Sequence, residues 1–217
     1  MKKRQITNNV LLERSKLFAR YAENMPSKTD KLELQLDFPY CGLIKMHFLV
    51  NNEEKLLIDA SNVYEPFEDI RDWLDRIVTQ IFDFTTAAVK INDEFDDYIL
   101  YYEPIYFHPD ELLTKHPPKL DGLFYVYDSC ERTIVSEAVV ETKKFVKSIY
   151  ESILNYANES SRSDEFVDSW TYDAYYDDIE EGDPRWRDLF IQKVTSPLVE
   201  RFLGDKNSDI RFIPIKI

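Results

Sequence analysis

The sequence predicts an α+β fold in which a mainly antiparallel sheet of six to eight strands carries helices packed on one face. Three observations support this class. Residues 32–38 alternate strictly between apolar and polar side chains, as in a strand with one buried face. Residues 66–81 repeat apolar side chains at helical spacing. The order strand, turn, strand, helix occurs twice along the chain, which is typical of antiparallel α+β folds.

The N-terminal half is predicted to contain two helices and three strands. In chain order they are a helix at 9–24, strands at 32–38, 44–50 and 56–60, and a helix at 66–81. The second and third strands are joined by the predicted hairpin turn Asn51-Asn52-Glu53-Glu54. Pro66 occupies the first position of the second helix, where its missing N–H is not required.

The C-terminal half repeats this pattern. Its predicted elements are strands at 85–92, 97–106, 123–128 and 133–140, a helix with an apolar face from Phe145 to Leu154, and helices after Asp183 and Ser196. Both of the last helices begin with a capping residue followed by proline. Segments 43–82 and 123–154 therefore form two ββα units. This order arises either from a degenerate duplication or without one.

We expect a single domain over residues 1–217. Its parts are an N-terminal helix at 1–30, a sheet with two ββα units at 31–158, an acidic aromatic connection at 159–183, and C-terminal helices with an apolar tail at 184–217. Seven of the ten residues at 155–164 are Ser, Asn, Asp or Glu, so helical periodicity ends there. The tail at 210–217 is too apolar for a free terminus, and we expect it to dock as an edge strand or extended segment.

Charge is distributed unevenly in a chain of formal net charge −14. Residues 1–30 hold seven basic and three acidic side chains, whereas residues 31–217 hold 20 basic and 38 acidic ones and carry a net charge of −18. A field of this sign repels phosphate backbones. We therefore expect no nucleic-acid partner and a basic protein as the preferred partner. Simple solubility explains an acidic chain equally well.

Cysteine content and apolar patterning indicate the compartment. Cys41 and Cys130 are the two cysteines, and a chain of this size folds without a disulfide, which favours a reducing cytoplasm. Apolar runs such as 123–127 are far shorter than the roughly 20 residues of a membrane helix. The N-terminal residues lack the apolar region of a signal peptide. We expect a cytoplasmic protein with no membrane partner.

Glycine and histidine usage argues against cofactor and metal sites. Phosphate-binding loops need clustered glycine, because a Cβ blocks close approach of the backbone. The four glycines, Gly42, Gly122, Gly182 and Gly204, are far apart. His47 falls on the polar face of its strand, and His108 and His116 match no zinc spacing. We expect neither a cofactor nor a bound metal.

Residues 164–183 interleave nine acidic with five aromatic side chains and contain no basic residue. Aromatic rings have no reason to order in a purely solvated loop, so they either pack on the sheet or form a binding surface. Tyr and Trp are frequent anchors in interfaces, and surrounding acids would steer a basic partner. The predicted partner-binding residues are Asp168, Trp170, Tyr172, Asp173, Tyr175, Tyr176, Asp177 and Asp178.

An enzymatic alternative rests on Asp110, Glu141 and Lys143. Pro-Asp at 109–110 followed by Glu-Thr-Lys at 141–143 resembles the motif of restriction-type nucleases. In such an enzyme the carboxylates would hold Mg²⁺ and the lysine would offset developing charge. In a second interpretation Thr142 caps the following helix and the lysines face solvent. The enzymatic hypothesis requires the three residues to converge in one cleft.

The sequence favours a non-catalytic acidic interaction module over an enzyme. Its acidic aromatic surface would bind and mask a basic protein, in the manner of bacterial immunity proteins and antitoxins, which the chain resembles in charge and architecture only. The alternative is the metal-dependent hydrolase or nuclease described above. A structural or regulatory subunit would differ from the interaction module only in its partner. For the interaction module we expect Trp170, Tyr175 and Tyr176 to be at least partly exposed.

Overall fold

A computed structural model describes seven strands and five helices in this chain. The described residues are 2–23, 28–40, 42–61, 66–80, 86–93, 96–105, 121–160 and 185–204. The strands are β1 (Leu32–Leu36), β2 (Leu43–Val50), β3 (Glu53–Ser61), β4 (Ala87–Asn92), β5 (Asp97–Ile105), β6 (Asp121–Asp128) and β7 (Thr133–Glu141). The helices are α1 (Lys2–Glu23), α2 (Pro66–Gln80), α3 (Thr142–Ser160), α4 (Arg185–Val194) and α5 (Pro197–Gly204). The predicted α+β class with antiparallel strands is confirmed.

The strands form two antiparallel sheets rather than the single predicted sheet. The first sheet has the order β1-β2-β3, and the second has the order β4-β5-β6-β7. The chain passes through α2 between β3 and β4, so no hairpin joins these strands. Isolated bridges connect the sheets at both ends, where Ala60 pairs with Asp93 and Asp30 pairs with Val140. The count of seven described strands lies within the predicted range.

Alternation and turn chemistry set the register of the first sheet. The inward row of β2 is buried as predicted: Ile44, Met46, Phe48 and Val50. Asn51 and Asn52 both have positive φ, 54° and 68°. A two-residue type I′ turn requires positive φ at both positions, and Asn tolerates this region better than most residues. The turn brings Val50 opposite Glu53.

Aromatic side chains join both sheets to α2 and α3 in the main core. Trp73 of α2 is fully buried, with its ring centroid 5.7 Å from that of Phe145 and 6.4 Å from that of Phe124. Phe48 of β2 stacks on Phe124 of β6 with centroids 6.0 Å apart. Such pairs contribute packing energy beyond the area they bury. The helical face predicted at 66–81 is therefore a core face in its described part.

Side chains of α3 cover the outer edge of the first sheet. The Ser152 hydroxyl donates to the Leu34 carbonyl at 2.7 Å, and the Tyr156 hydroxyl donates to the Asp37 carbonyl at 2.9 Å. These acceptors lie on and just beyond β1, the terminal strand of its sheet. The carbonyls are thus satisfied by the helix instead of by another strand.

Helix α1 packs on the face of the second sheet opposite the main core, so the prediction of helices on one face is wrong for this helix. Leu17 of α1 joins a second, smaller cluster with Leu123, Tyr125 and Val139. The physical reason lies in β6, where residues 123–127 are all apolar and buried. Both faces of this strand are therefore apolar, and the outer one also requires cover.

Ser196 starts α5 in the predicted manner. Its hydroxyl accepts a hydrogen bond from the Val199 N–H at 3.0 Å, and Pro197 occupies the first helical position. The same hydroxyl donates to Asp75 of α2, and the Ser196 N–H donates to the Tyr150 hydroxyl at 3.0 Å. The cap therefore ties α5 to α2 and α3. The predicted apolar tail at 210–217 lies outside the described residues.

Candidate functional site

The residues predicted to bind a partner lie outside the part of the chain that the structure describes. They are Asp168, Trp170, Tyr172, Asp173, Tyr175, Tyr176, Asp177 and Asp178. Their expected exposure therefore stays a prediction. The described residues contain a different acidic and aromatic surface, on the second sheet.

The residues of the enzymatic alternative are described only in part. Glu141 ends β7 and Lys143 lies in the first turn of α3, whereas Asp110 lies outside the described residues. The Glu141 carboxylate pairs with Lys144 at 2.6 Å. Across the described ranges, no group of three or more His, Cys, Asp or Glu side chains is arranged to hold a metal ion. The convergence that this hypothesis requires stays a prediction.

We use the name outer face for the surface of the second sheet that α1 covers. It is formed by alternate residues of β5, β6 and β7, which share one side of the sheet. The strand register places them in two rows, Tyr101–Tyr125–Glu137 and Glu103–Leu123–Val139. Each row crosses three strands. Two carboxylates therefore lie on either side of a central apolar and aromatic strip.

Glu103 is a buried acid at one side of this outer face, with 5% of its surface exposed. Arg14 of α1 holds its carboxylate by two bonds, since Nε donates to Oε1 at 2.6 Å and Nη2 donates to Oε2 at 2.6 Å. The Tyr125 hydroxyl also donates to Oε1, at 2.5 Å. The Tyr125 ring stacks on Tyr101 with centroids 4.8 Å apart. Bidentate, charge-assisted pairs of this kind are strong and geometrically specific.

The environment of Glu103 keeps its two partners protonated. The hydrogen bond to Glu103 raises the pKa of Arg14, although partial burial opposes the change. Burial raises the pKa of Tyr125, and the hydrogen bond to Glu103 raises it further. Near neutral pH both groups therefore act as hydrogen-bond donors and not as general acids or bases. The arrangement is suited to holding a cationic group.

A second contact lies further along α1. Leu17 has 2% of its surface exposed and packs against Leu123. Arg20 forms an ion pair with Glu137 of β7, and the Tyr21 hydroxyl lies 3.3 Å from the other oxygen of the same carboxylate. Burial, together with Glu137, raises the pKa of Tyr21 to about 12. One face of α1 thus carries an arginine, a leucine and an arginine against the outer face.

The described cysteine and histidine side chains each interact with carboxylates. Cys130 lies in the turn between β6 and β7, and a hydrogen bond with Asp96 raises the pKa of its thiol. Because the thiolate is the reactive form, this environment lowers the reactivity of Cys130. His47 lies on the polar face of β2, as predicted, between Asp37 at 3.2 Å and Glu54 at 2.6 Å. His108 and His116 lie outside the described residues.

Comparisons with known proteins give no assignment. No protein-family model, no curated protein and no solved structure matches the chain. In addition, none of the helices in the described ranges combines the length and the apolar character of a membrane-crossing segment. Evidence on function therefore comes from the residues themselves.

The pairing of α1 with the outer face was not predicted from the sequence. Arg14 and Glu103 are 89 positions apart, and neither belongs to a recognised motif. One local feature does mark the site: Glu103 lies in the strand sequence Tyr101-Tyr102-Glu103-Pro104, where alternation directs it to the same side as Tyr101. An acidic residue in so apolar a strand requires a cationic partner if it is buried.

Proposed function

We propose that the protein is a non-catalytic interaction module that binds and masks a basic protein partner, in the manner of immunity proteins and antitoxins. The observation that carries this proposal is the cluster of Arg14, Glu103 and Tyr125, in which a buried carboxylate accepts hydrogen bonds from a guanidinium and from one of two stacked tyrosines. This contact between a buried carboxylate and a guanidinium is the type of contact that a cationic partner would make. Low cysteine content supports a cytoplasmic setting.

The charge of the main body supports the same function. Residues 31–217 carry a net charge of −18, and a field of this magnitude attracts cationic proteins over long range while it repels nucleic acids. The predicted binding residues at 168–178 add aromatic anchors within this negative field. Aromatic side chains supply contact area, and the acids around them accelerate encounter with a basic partner.

Affinity capture with the tagged full chain tests the proposal. Capture from lysate is carried out at roughly 50 mM and roughly 500 mM salt, because electrostatic association is screened at the higher concentration. We expect basic proteins to be retained at low salt and lost at high salt. Each protein identified in this way is then purified and titrated against the full chain by calorimetry.

A charge-matched pair of variants locates the interaction. The test variant carries Asp168→Asn, Asp173→Asn, Asp177→Asn and Asp178→Asn. The control variant removes four exposed acids elsewhere: Glu53→Gln, Asp72→Asn, Glu151→Gln and Glu159→Gln. We expect affinity for the purified basic partner to fall in the test variant much more than in the control. Equal affinities of the two variants, or capture that does not depend on salt, would contradict the proposal.

A further inference from the structure

Helix α1 is held on the outer face by few buried groups. Among its described side chains, only Leu17 is buried. Leu11 and Leu12 on the same helix expose 50% and 54% of their surface. The helix is held by Leu17, by the half-buried Phe18 and Tyr21 that pack against the same cluster, and by the ion pairs of Arg14 and Arg20.

The two carboxylates lie within reach of basic residues that are six positions apart on a helix. Glu103 and Glu137 lie on strands either side of β6 and are offset by two residues in the register, so their backbones are about 12 Å apart on the diagonal. Arg14 and Arg20 are six residues apart, which is about 9 Å along a helix axis. Leu17 lies midway and contacts the apolar strip between the two acids. The outer face thus contacts a basic, an apolar and a basic residue of α1 at three-residue intervals.

We infer that the outer face is a docking site for a basic amphipathic helix of a protein partner, and that α1 occupies this site until the partner helix displaces it. The inference rests on the proposed function and specifies the structure of the partner segment. Recognition is of the helix-in-groove type, with charge added at both sides of the groove. A second copy of this chain is a poorer occupant, because each copy carries a net charge of −14 and the copies repel each other.

Peptide binding to the full chain tests this inference. The probe is a fluorescent peptide with the sequence of residues 2–23, and binding is measured by fluorescence anisotropy. One receptor is the unaltered chain, and the other carries Leu17→Ala and Arg20→Gln, which loosen its own α1 but leave Arg14 on Glu103. We expect the loosened chain to bind the peptide at least about tenfold more tightly, because the competing occupant is weakened.

Control variants connect binding to the outer face. A peptide with Arg14→Glu and Arg20→Glu should lose most of its affinity. The loosened chain with Glu137→Gln should also bind more weakly, whereas Glu151→Gln, an exposed acid on α3, should have no effect. A chain with Arg20→Gln alone provides a milder receptor, and circular dichroism confirms that each receptor is folded.

Three results would overturn the inference. They are equal affinity of the unaltered and loosened chains, failure of the loosened chains to bind the peptide, and binding that survives charge reversal of the peptide. Dimerisation of the loosened chain without peptide binding, detected by light scattering, would assign the face to a second copy instead. This experiment can fail independently of the proposed function. A chain that combines the four substitutions at 168–178 with the loosened α1 should still bind the peptide, because the peptide binds the outer face and not residues 168–178.

Discussion

At the residue scale, Gly122 on β6 lies where the packing leaves no room for a side chain. A Cβ at this position would overlap the Cε2, Cζ and hydroxyl atoms of Tyr102. The Tyr102 ring cannot move away easily, since it is buried, stacks on Phe145 at 5.3 Å and bonds to the Thr142 hydroxyl. Gly122 is therefore required for the close approach of β5 and β6 side chains at this point.

We expect Gly122→Ala to lower the free energy of unfolding by about 1–3 kcal/mol, the usual effect of overpacking a filled site. Urea denaturation of the full chain measures this change. Gly204→Ala is the matched control, because a Cβ at Gly204 meets nothing within 4 Å. The control should be neutral or slightly stabilising at the end of α5. An equal effect of the two substitutions would refute the packing argument.

His47 should make stability depend on pH. The hydrogen bond with Glu54 raises its pKa above 6.5, and Asp37 adds to this effect, while burial opposes it. A raised pKa means that the protonated form stabilises the folded state. This contribution is complete below pH 6.5, the unfolded value, and is lost as pH rises through the higher pKa of the folded state.

Urea denaturation over a pH series checks this prediction by comparing the unaltered chain with His47→Gln. The difference in unfolding free energy should favour the unaltered chain at low pH and decrease as pH rises past 6.5. The subtraction removes contributions from the other histidines. A difference that is constant across this range would show that His47 does not titrate with folding.

At the element scale, the cap of α5 allows a similar test. Ser196→Ala removes the acceptor for the Val199 N–H and the contact with Asp75, and should lower the free energy of unfolding by about 1 kcal/mol or somewhat more. Chemical denaturation monitored by circular dichroism measures this change in the free energy of unfolding. Ser15→Ala on the exposed part of α1 is the control and should stay within about 0.5 kcal/mol. Comparable losses would mean that the cap contributes nothing specific.

Elements were predictable from the sequence to the extent that their patterns are local. The alternation at 44–50 and the helical spacing from Pro66 both reflect burial of one face, so the strand and the helix were predicted correctly. The asparagine turn between β2 and β3 was also readable from local chemistry. The division into two sheets was not, because it depends on which strands pair across α2.

For the candidate site, too, only the local features could be predicted from the sequence. The net charge and the acidic aromatic composition are visible in the sequence. The ion pair of Arg14 with Glu103 joins residues far apart in the chain, and no local pattern specifies it. Nor does the pattern of α1 alone show which surface covers Leu17, since that depends on a β6 strand that is apolar on both faces.

At the scale of the whole molecule, Asp30 connects the two sheets. Its backbone N–H donates to the Val139 carbonyl at 2.6 Å, and its carboxylate accepts from the Val139 N–H at 3.1 Å. The other carboxylate oxygen accepts from the Asn51 side chain at 2.8 Å. One residue thus joins β7 to the turn between β2 and β3.

Asp30→Ala should lower the free energy of unfolding by about 1–3 kcal/mol, because the Val139 N–H loses its acceptor. Hydrogen exchange localises the effect: the Val139 amide should exchange faster, while the Phe124 amide inside β6 should change much less. Asp72→Ala, an exposed acid on α2, serves as the control and should leave both amides unaffected. Uniform acceleration at all amides would instead indicate global destabilisation.

The hydroxyls of Ser152 and Tyr156 have a consequence for behaviour at high concentration. A terminal strand with open carbonyls is a template on which other molecules add strands and grow into aggregates. Because Ser152 and Tyr156 of α3 donate hydrogen bonds to the carbonyls of Leu34 and Asp37, the free edge of β1 offers fewer acceptors to an added strand. Helix α3 therefore disfavours fibril-type association at this edge, in addition to packing against the core.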